Sequence, residues 1–149
     1  MYTPHVVTVY NVTEDPDTLE INYNITVLDG VFLDRSHARN IEKTGLRDAD
    51  SASLFIPFSV SAVDGETGKK KKYIGPKAYR ELEDKTGYWT LEAGGTNSGV
   101  DCFFIKGKVI TKAGYRYIRE HNDDVYDVTT VDTRDFGSKD MQHWQVGGR

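Results

Sequence analysis

Residues 19–27 read Leu19-Glu20-Ile21-Asn22-Tyr23-Asn24-Ile25-Thr26-Val27, with every odd position apolar and every even position polar. Side chains alternate across a β-strand, so this spacing predicts a strand with one dry and one wet face. The odd positions stay apolar through Val31 and Leu33, with Asp29-Gly30 between the two sets. A glycine at such an interruption marks either a bulge in one long strand or the turn of a hairpin. The apolar positions keep their parity across Gly30, which favours a single bulged strand with its faces unchanged. A second alternating set, Leu54, Ile56, Phe58, Val60 and Ala62, faces Ser59 and Ser61. Pro57 lies within it and removes a ladder donor, which predicts an edge strand or a proline turned away from its neighbour.

Shorter apolar stretches at 5–12, 88–91, 102–105, 125–131 and 141–146 read as further strands. Between them stand the turn signals Glu14-Asp15-Pro16-Asp17, Asp64-Gly65, Gly94-Gly95 and Gly137-Ser138. Two short helices fit the remainder. Gly75-Pro76 opens one, with proline in the first turn, Tyr79 and Leu82 on one face and Gly87 as the stop. The other runs near 113–122 and places Tyr115, Ile118 and Asn122 on one side, although Gly114 weakens it. The fold class is therefore mainly β: a small barrel or sandwich of about seven short strands with one or two short helices and long loops. No repeat and no Pro-, Ser- or Gln-rich linker divides the chain, so residues 1–149 read as one domain with extended loops near 64–75 and 92–101.

Composition sets limits on what such a domain does. At 149 residues, 38% hydrophobic and 28% charged, the chain is long enough for its own core. No apolar run approaches the ~20 residues of a membrane span, and Met1-Tyr2-Thr3-Pro4-His5 lacks the profile of a signal peptide, so the chain is expected to stay where it is made. A formal charge of −4 argues against coating nucleic acid by bulk attraction. The single cysteine, Cys102, forms no intramolecular disulfide and reads, beside Phe103 and Phe104, as a small buried hydrophobe.

Catalytic and metal-binding spacings are missing from the sequence. His5, His37, His121 and His143 are far apart, with no HExxH pair and no second cysteine for a zinc site, and no cofactor motif is present. There is no GxSxG elbow, and Asp123-Asp124 sits before a strand, where turn acids are common. Gly94-Gly95-Thr96-Asn97-Ser98-Gly99 lacks the Lys-Ser/Thr ending of a phosphate-binding loop and reads as a hairpin loop. The conspicuous charge feature is Lys69-Lys70-Lys71-Lys72, expected in an extended, solvated loop because like charges repel. In a ring of copies, that loop would repeat as a basic collar.

The succession of segments resembles a family of tailed-bacteriophage neck proteins, variously called head-tail connector, head-closure (stopper) or minor capsid proteins. Carrying the resemblance are an opening strand from His5 to Asn11, the run from Tyr23 to Leu33, and a middle strand with Leu54-Phe55-Ile56-Pro57-Phe58. Trp89-Thr90-Leu91, Phe104-Ile105-Lys106-Gly107 and a closing stretch from Phe136 to Gly147 complete it. Relatives pass from the Trp-x-Leu strand to the next through a tight Gly-Asp turn, whereas this chain inserts a longer glycine-rich loop from Glu92 to Asp101. The resemblance implies a small β-barrel in a homo-oligomeric, dodecameric ring beneath the portal and above the tail, in the virion neck, after assembly in the host cytoplasm. Its partners would be the portal or adaptor and tail proteins, with transient contact to packaged double-stranded DNA in the channel.

Two classes of function follow. The first is a structural virion protein, not an enzyme, whose candidate contacts with DNA or other subunits are Lys69, Lys70, Lys71, Lys72, Gly94, Gly95, Asn97 and Gly99. Under it Tyr23, Phe32, Phe55, Phe58, Trp89 and Trp144 serve core and subunit packing. The alternative is a small β-barrel binding module for single-stranded nucleic acid or carbohydrate, which requires aromatics on an exposed sheet face among Lys and Arg.

Overall fold

In the computed structural model, which describes residues 2–36, 51–93 and 100–149, the alternating stretch becomes one long strand. β1 (His5–Glu14) and β2 (Ile21–Ser36) form an antiparallel hairpin in which His5 opposes Val31 and Val6 opposes Asp29. Gly30 is thus left unpaired, at φ 97°, a backbone conformation that glycine adopts without strain. The expected bulged strand is present, but its faces do not stay unchanged. The inserted residue uses one step of the alternation, so Ile25 packs outside the sheet while Leu28, Val31 and Leu33 share the interior. The even positions Asn24 and Thr26, expected on the wet face, consequently point the same way as Leu28, and Thr26 is fully buried.

The second alternating set breaks in two. β3 (Ser51–Pro57) ends at Pro57, the amide of Val60 donates to the carbonyl of Pro57, and β4 (Ser61–Asp64) resumes on the same edge of β2. Contrary to the edge-strand expectation, β3 lies between β2 and β9 (His143–Gly148). Pro57 is tolerated because its nitrogen faces the β2 side, where the ladder has already ended at Phe32 and Phe55, while the next amide, that of Phe58, donates to the Gln142 carbonyl at 3.2 Å.

β7 (Val100–Lys106) and β8 (Val125–Arg134) complete the main sheet, whose order is β1-β7-β8-β9-β3-β2-β4. Because β2 also pairs with β1, six strands close into a barrel-like antiparallel ring, with β4 attached beside β3. Half of the circumference is built on β1, β7 and the first part of β2, and the other half on β3, β9 and the distal part of β8.

Inside the ring Val7, Val9, Leu28, Leu54, Ile56, Phe104, Val128 and Val146 make the main core. A second cluster of Tyr10, Ile25, Phe103, Ile105 and Val125 lies outside the first half, roofed by Ile118 of α2 (Tyr115–His121). α1 (Pro76–Glu81) starts at Pro76 as its sequence predicts and buries Tyr79. It separates β5 (Lys72–Tyr73) from β6 (Tyr88–Trp89), a short parallel pair that leads the chain into the ring interior. There Trp89 and Leu91 are each 1% exposed, and the Trp89 and Trp144 rings meet edge to face at 5.8 Å. Asn11 holds this inserted segment from β1: its Nδ2 donates to the carbonyl of Thr90 at 2.9 Å, and its Oδ1 accepts from the Thr90 amide at 3.1 Å. One side-chain amide thereby supplies the hydrogen bonds that a neighbouring strand would give.

Candidate functional site

The lysine run does not form the single solvated loop that its charge suggests. Asp64 Oδ1 accepts from the amides of Glu66 and Thr67, the Gly68 amide donates to the Asp64 carbonyl, and Gly68 takes φ 73°, so residues 64–69 form a tight reversal. The chain then runs back beside β4, with the Asp64 amide donating to Lys69 and the Lys71 amide to Ala62. Lys69, Lys70 and Lys72 are exposed along this return, but Lys71 is buried, its side chain 0% accessible. The Lys71 ammonium donates to Asn24 Oδ1, to the Ile25 carbonyl at 3.0 Å and to Thr26 Oγ1 at 3.1 Å, with Asp64 Oδ2 at 3.8 Å. Burial lowers its pKa, and the Asp64 carboxylate partly offsets that. Lys71 is therefore an internal tie between the return strand and β2, and the solvated basic surface comprises Lys69, Lys70 and Lys72. What the sequence did offer was the Asp64-Gly65 turn, which brings residue 71 back against residue 62.

Gly94, Gly95, Asn97 and Gly99, the other candidate contacts, lie outside the described residues, as does His37. Beside the reversal, an open groove of about 430 Å³ is lined by Asp64, Glu66, Glu83 and Asp84 together with Tyr23, Asn24 and Tyr79. Several of its polar groups are engaged locally. Lys112 pairs with Glu66 at 2.9 Å, Asp84 accepts from the amide and hydroxyl of Thr86, which lowers its pKa, and Asn24 Nδ2 donates to Tyr79 Oη at 2.7 Å.

A feature missed in the sequence lies on the outer wall of the second half of the ring. Leu54, Ile56, Trp144 and Val146 point inward, so Phe55 and His143 point outward, as does Phe32 between the interior residues Val31 and Leu33. These rings form a row across the strands: His5 to Phe32 at 5.7 Å, Phe32 to Phe55 at 5.8 Å and Phe55 to His143 at 5.8 Å, with Tyr2 at 6.1 Å from Phe32. Tyr2 is 76% exposed, and the loop leading into β9 adds Phe136 at 67% and Met141 at 54%. Core packing is right for Trp89 and Trp144 and, in part, for Phe58, while Tyr23 borders the outer cluster; Phe32 and Phe55 do not belong to the core. The polar residues of this face include Asp34, Ser53, Gln145 and Asp132, with Arg134 held 3.9 Å from Asp132.

Several other titratable groups hold local structure. His5 Nδ1 accepts from the Leu33 amide at 3.0 Å, His121 Nδ1 donates to the Tyr117 carbonyl at 2.8 Å, and His143 Nδ1 donates to the Met141 carbonyl at 2.8 Å. Arg35 Nη1 reaches both oxygens of Asp124, at 2.9 and 2.8 Å, which together with Tyr126 keeps the Asp124 carboxyl below its ordinary range against the opposing effect of burial. Cys102 is buried beside Asn11, as its neighbours suggest. Among the described residues no cluster of three or more His, Cys, Asp or Glu is placed to hold a metal ion, and no helix is long and apolar enough to cross a membrane.

Compared with known proteins, residues 2–149 match the model of a family described as one of unknown function, DUF6751. No curated protein and no solved structure matches the chain.

Proposed function

The chain belongs to the DUF6751 family, whose function is unknown, and from its own residues we propose that it is a structural virion protein of a tailed bacteriophage. In this reading it forms a homo-oligomeric ring in the neck, joins portal to tail, and extends or closes the DNA channel, acting through assembly instead of catalysis. The resemblance of its strand succession to neck proteins supports this. The observation that carries it is the aromatic row of Tyr2, His5, Phe32, Phe55 and His143, left partly open on one wall of a closed β ring. Large apolar side chains left on a surface mark a protein contact. Lys69, Lys70 and Lys72 supply a small basic surface that repeats around a ring, suited to brief phosphate contact without arresting DNA.

The same row also favours a second reading, a module that stacks single-stranded nucleic acid or carbohydrate. Its rim opposes the nucleic-acid version, because Asp34 and Asp132 flank the rings and the neighbouring cation, Arg134, is engaged with Asp132. Native mass spectrometry of the purified chain, alone and with a portal ring, separates the readings. Ring-sized species or portal association are expected. A monomer throughout, with salt-sensitive micromolar binding of oligonucleotides seen by fluorescence, would replace the neck reading with the second one.

A further inference from the structure

The two halves of the ring are finished differently on the outside. The half built on β1 and β7 is roofed by α2 and its second apolar cluster, while among the described residues the half built on β3 and β9 has no roof over its aromatic row. Being opposite halves of one closed ring, these outer surfaces face away from each other. Their chemistry is complementary. The open wall presents Phe32, Phe55 and His143 with the carboxylates of Asp34 and Asp132. On the roofed side α2 turns outward Tyr117, 46% exposed and stacked on His121 at 4.0 Å, and Arg116, whose side chain is 94% exposed and 3.5 Å from Glu120, with Lys108 exposed on the connection before it.

We infer that, within the assembly proposed above, the open aromatic wall of one copy is the seat for the outer face of α2 of the next copy. This inference rests on the ring reading and adds to it the identity of the contact. Tyr117 joins the aromatic row, and Arg116 and Lys108 meet Asp34 and Asp132, whose charges both compensate theirs and reject a like-charged partner. A seat and an insert on opposite sides of each subunit make a head-to-tail contact, the kind that propagates into a ring when the rotation closes.

Two full-length variants test it. The helix variant is Arg116→Glu with Tyr117→Ser, and the wall variant is Asp34→Lys with Asp132→Lys; all four positions are exposed, so folding is retained. Sedimentation velocity and native mass spectrometry are expected to show that each variant alone needs a concentration about tenfold higher or more to assemble, equivalent to ~1.4 kcal/mol per contact. Mixed together, the two variants should associate at concentrations where neither does alone, since the wall of the one and the α2 face of the other are intact. If both variants assemble as the unmodified chain does, this contact is wrong and the ring reading stands. Loss of assembly in the wall variant alone excludes α2 as the occupant. An unmodified chain that stays monomeric at every concentration refutes both the contact and the ring.

Discussion

Replacing Lys71 by alanine removes a buried ammonium that donates to Asn24, Ile25 and Thr26 and leaves Asp64 without its internal counter-charge. Each hydrogen bond from a charged donor is worth about 1.5–3 kcal/mol, but the loss is not threefold. The Ile25 carbonyl keeps a second donor, the Gly65 amide at 3.0 Å, Asn24 borders the open groove where water can reach it, and the Asp64 side chain is 20% exposed. Removing one partner of a buried pair costs about 3–5 kcal/mol, and these three reliefs place Lys71→Ala at the lower end, about 3 kcal/mol. In a chain of this size that is about 6–12 °C in melting temperature. Lys71→Met keeps the apolar stem packed and removes the desolvated charge, so about 1–2 kcal/mol is expected. Urea unfolding followed by tryptophan fluorescence measures both, because Trp89 and Trp144 are both buried in the ring. Lys69→Ala, at an exposed position, serves as control and should change stability by no more than about 0.5 kcal/mol. If Lys71→Ala and Lys69→Ala unfold at the same urea concentration, the internal role of Lys71 is refuted.

Three further outcomes follow from the geometry. Burial raises the phenols of Tyr10, Tyr79 and Tyr115 to about 12 from an ordinary 10.0. Their contribution is intact below pH 10 and is lost as pH rises from 10 through 12, since the unfolded chain ionises first; phenolate absorbance that rises fully near pH 10 with the fold intact would contradict this. Gly148→Ala places a methyl carbon 2.8 Å from Phe104 Cζ and Tyr126 Cβ and should cost about 1–3 kcal/mol by thermal unfolding, whereas Gly87→Ala, which meets open space, should not. Asn11→Ala strands the buried amide of Thr90, leaves its carbonyl with only the Cys102 thiol at 3.9 Å, and should cost about 2–4 kcal/mol. Hydrogen exchange should quicken at Thr90 before it does in β3; unchanged protection there would show that Trp89 alone retains the segment.

Much of the fold was legible because alternation, proline and glycine act locally. The strand from Ile21 to Val27, the bulge at Gly30 and the start of α1 at Pro76 all rest on backbone chemistry that a sequence displays, whereas Leu19, expected on the dry face, lies before the strand at φ 60° and is exposed. What stayed hidden depends on counting across space. Apolar parity looked continuous over Gly30, yet a bulge consumes a residue, so the continuous pattern meant a change of face. Thr26 and Lys71 read as solvated because they are polar, while their partners, like that of Asn11, are segments 45 to 79 residues away that no local pattern reveals. Of the candidate contacts, Lys69, Lys70 and Lys72 are on the surface as expected and Lys71 is not. The aromatic row escaped notice because Phe32 and Phe55 sit in apolar runs, and only the register of β2 against β3 shows that they turn outward together.

The way the ring closes also bears on how the chain is made. β9 alone bridges β3 to β8, so two halves with unsatisfied edges stand open until residues 143–148 have been synthesised. A nascent or prematurely terminated chain therefore offers proteases and chaperones an open sheet, while a chain that includes β9 conceals it. The aromatic wall is completed by His143 at the same step. In the assembly proposed above, a subunit would then present its complete contact wall only once its own sheet has shut.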